Sequence, residues 1–200
     1  MQTLFDSIGY LSEHLPEGLK DHIARTCKLG EELALIHGAD VVRCDIAIKA
    51  HDLFRHNTDE ELLRRSRDLN ITIGSVEHND PILLHGPIAA NILMESLKCP
   101  YQDVIDAVKY HTTGRPEMSL VEKIVFIADK VEPAKVTSND NLGPISELAK
   151  VDLDKSIEMY LSFRIRERIE GGHLVHPLAV ETWNCSVSYT HLTLPTSDLV

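Results

Sequence analysis

Residues 46–55 have the sequence Ile46-Ala47-Ile48-Lys49-Ala50-His51-Asp52-Leu53-Phe54-Arg55, an apolar run that ends in two adjacent potential metal ligands, His51 and Asp52. The run before His51 has helical character. The imidazole nitrogen of His51 and the hard carboxylate oxygens of Asp52 form a mixed donor pair that suits iron, manganese or zinc better than calcium. A His-Asp pair can also simply close a helix, so its meaning depends on ligands elsewhere in the chain.

The composition is that of an ordinary globular protein. Two hundred residues are enough for one domain with a hydrophobic core, and 43% of them are apolar while 26% are charged. Aromatic residues make up only 5%, so Leu, Ile, Val and Ala must build that core. No apolar run approaches the ~18 residues that span a bilayer. Met1 to Asp6 lack the basic and apolar pattern of a signal peptide. We therefore expect a cytoplasmic protein with no membrane partner.

The net charge narrows the class of partner, and the cysteines indicate the compartment. A net charge of −11 argues against a nucleic-acid partner, which would need a basic face. The same negative field repels a polyphosphate ligand, which would need a bound cation and local Lys or Arg residues. The four cysteines (Cys27, Cys44, Cys99 and Cys185) contain no CxxC pair, so we interpret them as small thiols of a reducing cytoplasm.

Apolar residues recur with helical spacing along most of the chain. Gly38 is a typical C-terminal cap, and Ser119 with Glu122 three positions on is a typical helix start. No alternating strand pattern is present. We therefore predict an all-α fold with loops at about residues 70–80 and 134–143. The main predicted helices cover roughly Leu19–His37, Val41–Phe54, Asp59–Asp68, 85–97, 102–111, 120–129, 144–150 and Leu153–Glu170.

Six residues of metal-ligand type come from five predicted helices, most of them at helix ends or on inward faces. Bundles commonly build metal sites from side chains on facing helices. Taken singly, an inward histidine is more often a hydrogen-bonded core residue, and an aspartate near a helix end is more often a terminal charge. Spacing alone leaves both interpretations open. The six residues are His22, His51, Asp52, His85, His111 and Asp129.

The order of these residues resembles a known signature. His22…His51-Asp52…Asp129 is similar to the H…HD…D pattern of the HD-domain metal-dependent phosphohydrolases. Longer segments are more selective and resemble the YqeK family of bacterial symmetrical dinucleoside tetraphosphatases. They are Ala50–Arg55 (AHDLFR), Leu84–Pro87 (LHGP), Tyr110–Pro116 (YHTTGRP), Phe126–Pro133 (FIADKVEP) and His176–Asn184 (HPLAVETWN). The similarity covers about Pro16 to Asn184. Phe54 departs from it, because a small residue is common at that position.

The resemblance implies a fold, a cofactor and an activity. It implies an HD-domain helical bundle that binds a divalent or trivalent metal, usually iron in this family, with manganese or another transition metal as the alternative. The implied reaction is the hydrolysis of diadenosine tetraphosphate to two ADP. The implied metal ligands are His22, His51, Asp52 and Asp129, and the implied catalytic residues are Asp52, His85 and His111. The expected substrate-binding residues are Arg55, His85, Lys109, His111, Thr112, Thr113, Gly114 and Arg115.

Two other functions stay open. One is an HD phosphohydrolase that acts on another nucleotide. The other is a regulatory module that binds metal and nucleotide but turns over slowly, although a complete ligand set argues against it. We also leave open whether the protein forms a homodimer. The substrate in the leading interpretation is a dinucleoside polyphosphate.

The last part of the chain has a different character. Val187 to Thr196 resemble the translation of a transposase sequencing adapter. We therefore expect one hydrolase domain over residues 1–186 and a non-native tail over residues 187–200. An uninterrupted native reading frame, found by resequencing the locus, would contradict this expectation.

Overall fold

All regular structure in the described part of the chain is helical, so the predicted all-α class is confirmed. The computed structural model describes residues 2–192 and, within them, the side chains of residues 4–187. A 3-10 turn, Pro81–Leu84, precedes α6, and a π-helical turn, Ile92–Ser96, follows it. The α-helices are α1 (Gln2–Glu13), α2 (Glu17–His37), α3 (Val41–His51), α4 (Asp59–Asp68), α5 (Ser75–Asn79), α6 (His85–Asn91), α7 (Gln102–Tyr110), α8 (Leu120–Lys130), α9 (Pro133–Ser138), α10 (Leu142–Ala149), α11 (Leu153–Glu170) and α12 (Pro177–Leu192).

Side-chain caps fix where several of these helices begin. Thr58 accepts a hydrogen bond from the backbone N–H of Glu61, whose side chain bonds back to the N–H of Thr58, and this capping box starts α4. Ser119 and Glu122 form the same box at the start of α8. The carboxylate of Glu132 accepts from the N–H of Ala134 at the start of α9. Local sequence therefore sets the boundaries of the helices that carry the site.

Four segments differ from the sequence-based prediction. Helix α3 ends at His51 and not at Phe54, because Asp52 has non-helical backbone angles, with φ at −106° and ψ at 13°. Short helices α5 and α9 occupy parts of the segments predicted as loops. In α9 the cap at Glu132 and Pro133 in the first turn stabilise a helix too short to show periodicity. Helix α12 forms where no helix was predicted. Residues 193–200 lie outside the described part, and the expected non-native tail stays a prediction.

Four helices enclose the main core. Helix α3 packs against α2 and α7, and α8 packs against α2, α3 and α7. Their inward side chains are fully buried aliphatic residues and one phenylalanine, as the low aromatic content predicted: Leu33, Ile46, Ile48, Ile124, Phe126 and Ile127. The C-terminal ends of α3, α7 and α8 meet the second turn of α2 at one place. That meeting point holds the predicted metal ligands.

Helices α11 and α12 cover one side of this core. Helix α11 packs against α8 and α10, and α12 packs against α11, where the indole N–H of Trp183 donates to Ser162 Oγ over 2.7 Å. The hydroxyl of Thr182 lies 3.5 Å from the carbonyl oxygen of Thr113, so α12 contacts the loop that follows α7. Among the helices of residues 2–192, none combines the length and the hydropathy that crossing a membrane requires.

Candidate metal centre

Four of the predicted ligands converge in the interior. Nε2 of His22, on α2, lies 3.1 Å from Oδ1 of Asp129, on α8, and 3.6 Å from Oδ2 of Asp52, which follows α3. Nε2 of His51, the last residue of α3, lies 3.4 Å from Oδ2 of Asp52 and 3.7 Å from Oδ1 of Asp129. All four residues are buried. Ligand atoms of His22, His51 and Asp129 all lie within 4.8 Å of one another, as do those of His51, Asp52 and His111, so the described residues include two groups that could hold an ion and that share His51.

The ring orientations make this cluster a set of hydrogen-bond acceptors. Nδ1 of His51 lies 2.6 Å from the carbonyl oxygen of Ile48, and Nδ1 of His22 lies 3.3 Å from Oε1 of Glu132. Because those oxygens can only accept, each neutral ring carries its proton on Nδ1 and presents a lone pair at Nε2. Within the described chain, Nε2 of His22 and Nε2 of His51 are buried atoms with no hydrogen-bond partner.

This donor set fits a metal ion. Two imidazole lone pairs and two carboxylates in a buried space repel one another unless positive charge lies between them. Although burial acts to lower it, the carboxylates of Asp52 and Asp129 raise the pKa of His51 to about 10. The cluster therefore attracts protons strongly in the absence of another cation. Mixed nitrogen and oxygen ligands of this kind are typical of iron and manganese sites.

A second pair of histidines shares the carboxylate of Asp52. Nε2 of His85 lies 3.0 Å from Oδ1 of Asp52, and Nε2 of His111 lies 3.6 Å from the same oxygen. The two Nε2 atoms are 2.8 Å apart. Burial, together with the nearby His85 and His51, lowers the pKa of His111 to about 3. His111 is therefore neutral at physiological pH.

The rings of His85 and His111 are held as firmly as those of the first pair. Nδ1 of His111 lies 2.7 Å from the carbonyl oxygen of Val108, and Nδ1 of His85 donates to the carbonyl oxygen of Ile82. Gly86 is required here, because an added Cβ would lie 2.9 Å from the carbonyl oxygen of Val108 and 3.0 Å from Cε1 of His111. The His-Gly-Pro sequence thus reflects close packing of the backbone on the ring of His111.

Three cationic side chains contact the carboxylates of the centre. Arg55 Nη1 donates to Oδ2 of Asp52 over 3.1 Å. Lys130 Nζ donates to Oδ2 of Asp129 over 2.7 Å, and Lys135 Nζ to Oδ1 over 2.8 Å. Burial acts to raise the pKa of Asp129, but the two lysines overcome it and lower the pKa well below its usual value. Sequence reasoning missed both lysines, although Lys130 directly follows a predicted ligand.

A cavity of about 390 Å³ lies beside the centre. Helix α11 forms much of its opposite wall. The cavity therefore gives a ligand access to the cationic side chains and to one histidine of the second pair. The residues that line it and belong to the centre or its adjoining loop are Arg55, His85, Thr112, Thr113, Lys130 and Lys135.

The remaining predicted substrate-binding residues have other surroundings. Lys109 lines a second cavity of about 400 Å³, which also borders Thr112 and Thr113. Arg115 donates two hydrogen bonds to the buried carboxylate of Glu122, over 2.6 and 2.9 Å. Gly114 adopts a φ of +68° against Thr182 of α12. The substrate roles of these residues stay predictions, and Arg115 would have to leave Glu122 to contact a phosphate.

The fold and the ligand pattern define a protein class. Residues 19–134 match the family model described as HD domain, and the chain belongs to this family. Three similar bacterial proteins share the name bis(5'-nucleosyl)-tetraphosphatase, symmetrical. The protein from Halalkalibacterium halodurans is 30% identical over 89% of this chain and 94% of its own length. The protein from Bacillus subtilis is 27% identical over 92% and 97%, and that from Staphylococcus aureus is 32% identical over 72% and 74%.

A solved structure agrees with the sequence relatives. A crystal structure from Clostridium acetobutylicum, described as a predicted HD superfamily hydrolase involved in NAD metabolism, has a TM-score of 0.86 to this chain. It is 28% identical, and the match covers 92% of this chain and 97% of that one. The predicted resemblance to the HD-domain phosphohydrolases, and within them to the symmetrical tetraphosphatases, is confirmed.

Proposed function

We propose that this protein hydrolyses diadenosine tetraphosphate symmetrically and releases two ADP. The observation that carries the proposal is the buried acceptor cluster of His22, His51, Asp52 and Asp129 beside a cavity with cationic walls. Relatives that cover most of the chain are named for this reaction. The cluster supports metal-dependent phosphohydrolase chemistry, and the names of the relatives indicate the substrate.

The metal in this proposal is held by His22, His51, Asp52 and Asp129. When bound, it supplies Lewis-acid activation of water and neutralises charge on phosphate. We propose iron, because two imidazoles and two carboxylates suit it, and manganese is the alternative. Metal analysis of the purified protein, followed by reloading with each ion, tests the choice.

The two histidines beside the metal ligands can supply the proton that the reaction needs. Hydrolysis forms a bond between water oxygen and a central phosphorus and breaks the bond to the departing ADP oxygen, which then needs a proton. Because Nδ1 of each ring donates to a backbone carbonyl oxygen, the 2.8 Å contact between Nε2 of His85 and Nε2 of His111 needs one shared proton, and this proton can be delivered to that oxygen. Oδ1 of Asp52 lies 3.0 Å from Nε2 of His85 and 3.6 Å from Nε2 of His111, so its negative charge stabilises a proton held between the two rings.

Cationic side chains allow a polyphosphate to approach a protein with a net charge of −11. Arg55 contacts Asp52, but its side chain is 42% exposed and lines the cavity. Lys135 contacts Asp129 and is 32% exposed. Both residues can therefore contact a ligand from the cavity while they stay close to the metal ligands. Arginine is well suited to bidentate contact with phosphate.

One alternative has a specific observation in its favour. The Clostridium acetobutylicum neighbour is described as involved in NAD metabolism, which keeps open an HD phosphohydrolase acting on another nucleotide. The regulatory module is less well supported, because all the expected ligands are present and converge. Assays with a panel of mononucleotides and dinucleotides separate these functions.

We propose a cytoplasmic location for this activity. The four cysteines are free in the described structure, which suits a reducing compartment. The net charge of −11 supports the expectation that nucleic acid is not a partner. A homodimer stays a prediction, which light scattering of the purified protein tests. Cell fractionation with an antibody tests the location.

The decisive experiment identifies the products. Iron-loaded protein is incubated with diadenosine tetraphosphate, and the nucleotides are separated by chromatography. We expect ADP as the sole nucleotide product, and no turnover after chelation of the metal. A mixture of AMP and ATP, or the absence of turnover by the iron-loaded protein, would contradict the proposal.

A further inference from the structure

The histidines of the centre are oriented in two different ways. His51, His85 and His111 each donate from Nδ1 to the backbone carbonyl three residues earlier. His22 differs, because its Nδ1 contacts a side chain, the carboxylate of Glu132, over 3.3 Å. A backbone acceptor is present whatever the sequence, whereas a carboxylate depends on one residue. The orientation of His22 is therefore set by a side chain that substitution can remove.

Glu132 is itself held in one position. It is 2% exposed, and its Oε2 accepts from Arg25 Nε over 2.6 Å and from the N–H of Ala134 over 2.9 Å. Its Oε1 accepts from Arg25 Nη2 over 3.3 Å, in addition to His22. Arg25 lies three residues after His22 on α2, so the two side chains share a face of that helix. The pair of Arg25 and Glu132 thus links α2 to the start of α9.

We propose that Glu132 and Arg25 are positioning residues that keep the proton of His22 on Nδ1 and direct Nε2 toward Asp52 and Asp129. Histidine ligands of metals commonly donate their other ring N–H to a carboxylate, which fixes the tautomer and increases the basicity of the ligand. Here the arginine holds that carboxylate in a bidentate pair. The inference rests on the proposed metal site and concerns metal affinity, not the choice of substrate.

The contacts predict what Glu132→Gln does. Two donors, Arg25 Nε and the N–H of Ala134, converge on Oε2, so the amide oxygen of glutamine takes that position. The NH2 group then faces Nδ1 of His22. A donor at this place favours the tautomer with its proton on Nε2, the atom that must bind the metal. The substitution keeps the volume of the side chain but disfavours the His22 tautomer that leaves Nε2 free to bind the metal.

The test is a titration of metal-free protein with Mn²⁺, in which electron paramagnetic resonance measures the free ion. We expect E132Q to lower the Mn²⁺ affinity by about 10- to 100-fold, the usual effect of losing such a partner. Arg25→Gln keeps the carboxylate of Glu132 but removes its bidentate partner, so we expect a smaller loss of Mn²⁺ affinity. The side chain of Arg25 is 37% exposed, which makes R25Q the variant to use if E132Q does not fold.

Glu122→Gln is the matched control. Glu122 is also 2% exposed and also forms a bidentate pair with an arginine, but its carboxylate accepts from Arg115 and the N–H of Ser119 where that of Glu132 contacts a histidine. E122Q should lower the melting temperature while Mn²⁺ affinity stays at the wild-type value. A folded E132Q or R25Q with wild-type affinity would overturn the positioning role alone. Failure of the wild-type protein to bind either Mn²⁺ or iron would reject the metal site and, with it, this inference.

Discussion

Oδ1 of Asp52 lies 3.0 Å from Nε2 of His85, while Oδ2 of the same carboxylate faces His22 and His51. One side chain therefore borders both pairs of histidines. Burial acts to raise the pKa of Asp52, but His51, His111 and His85 overcome it and lower the pKa well below its usual value. The carboxylate is ionised at any pH at which the enzyme works, and its negative charge holds the two pairs together.

Asp52→Asn should therefore abolish metal binding and activity together. The amide keeps the shape of the side chain but loses its charge and presents a donor to a set of acceptors. We expect turnover to fall by more than the roughly 100-fold typical of losing a supporting residue. Metal content and kcat are the measurements. Asp45→Asn is the control, because Asp45 is on the same helix and its carboxylate pairs with Lys49 over 2.6 Å. Retained activity in D52N would contradict the assigned centre.

Gly86→Ala should impair catalysis by displacing His111. The new Cβ would lie 3.0 Å from Cε1 of His111, and the backbone behind it at Val108 cannot move easily. A displacement of about 1 Å can cost roughly 100-fold in rate. We expect kcat to fall by about 10- to 100-fold with metal content preserved. Gly18→Ala is the control, since no atom lies within 4 Å of its added Cβ. An unchanged kcat in G86A would show that the ring position is not critical.

Arg55→Ala should weaken substrate binding more than turnover. The guanidinium lines the cavity and contacts Asp52 at the edge of the centre. Loss of one charged contact to phosphate should raise KM by about tenfold, equivalent to about 1.4 kcal/mol. Steady-state kinetics measure the effect. Arg64→Ala is the matched control, because Arg64 pairs with Asp68 on an exposed face of α4. A KM at the wild-type value in R55A would remove Arg55 from the substrate site.

Arg115→Ala tests the substrate-binding role predicted for Arg115. Its guanidinium pairs with Glu122, whose side chain is only 1% exposed. Removal leaves a buried carboxylate without its partner, so we expect a loss of about 2 kcal/mol in the free energy of unfolding. We also expect KM to change little, because the contacts of Arg115 are structural. Denaturant titration and kinetics separate the two effects. A large rise in KM without loss of stability would instead support phosphate binding by Arg115.

The thiols of Cys27 and Cys44 should resist modification in the native protein. Burial is the main reason that the pKa of each thiol is raised to about 12. The reactive thiolate is therefore scarce at pH 8. We expect mass spectrometry to find little labelling by iodoacetamide until urea is added. The same shift implies that stability falls as pH rises from 9 toward 12, because only the unfolded chain ionises readily there. Rapid native labelling at pH 8 would contradict the raised pKa of these thiols.

Sequence predicted the helical class because apolar spacing is a local property that long helices repeat several times. It identified His51 and Asp52 because they are adjacent, and it identified His22 and Asp129 through a resemblance in their order. The prediction missed the short helix α9 and placed the end of α3 three residues too late. A cap at Glu132 and a turn at Asp52 determine these two boundaries, and each involves only a few residues.

The supporting residues of the centre depend on orientation in space. Glu132, Lys130 and Lys135 are in or beside the segment that carries Asp129, yet sequence alone does not say which of them reaches a ligand. Glu122 was predicted as a helix cap, and that function is confirmed. Its second partner, Arg115, comes from a loop whose course is fixed only in the folded protein. Pairing between side chains on different elements was therefore the part that sequence could not supply.

The contact between Thr182 and the loop at Thr113 and Gly114 links two predicted substrate-binding residues to the last described helix. Proteins open locally in cooperative units, and a loop held by a distant helix opens with that helix. Amide hydrogen exchange should therefore show residues 112–114 and the first turns of α12 exchanging at a common rate, slower when nucleotide is bound. A bulky group attached along α12 would then reduce turnover without contact with any metal ligand. Dyes or tags for studies of this enzyme should therefore be attached away from α12.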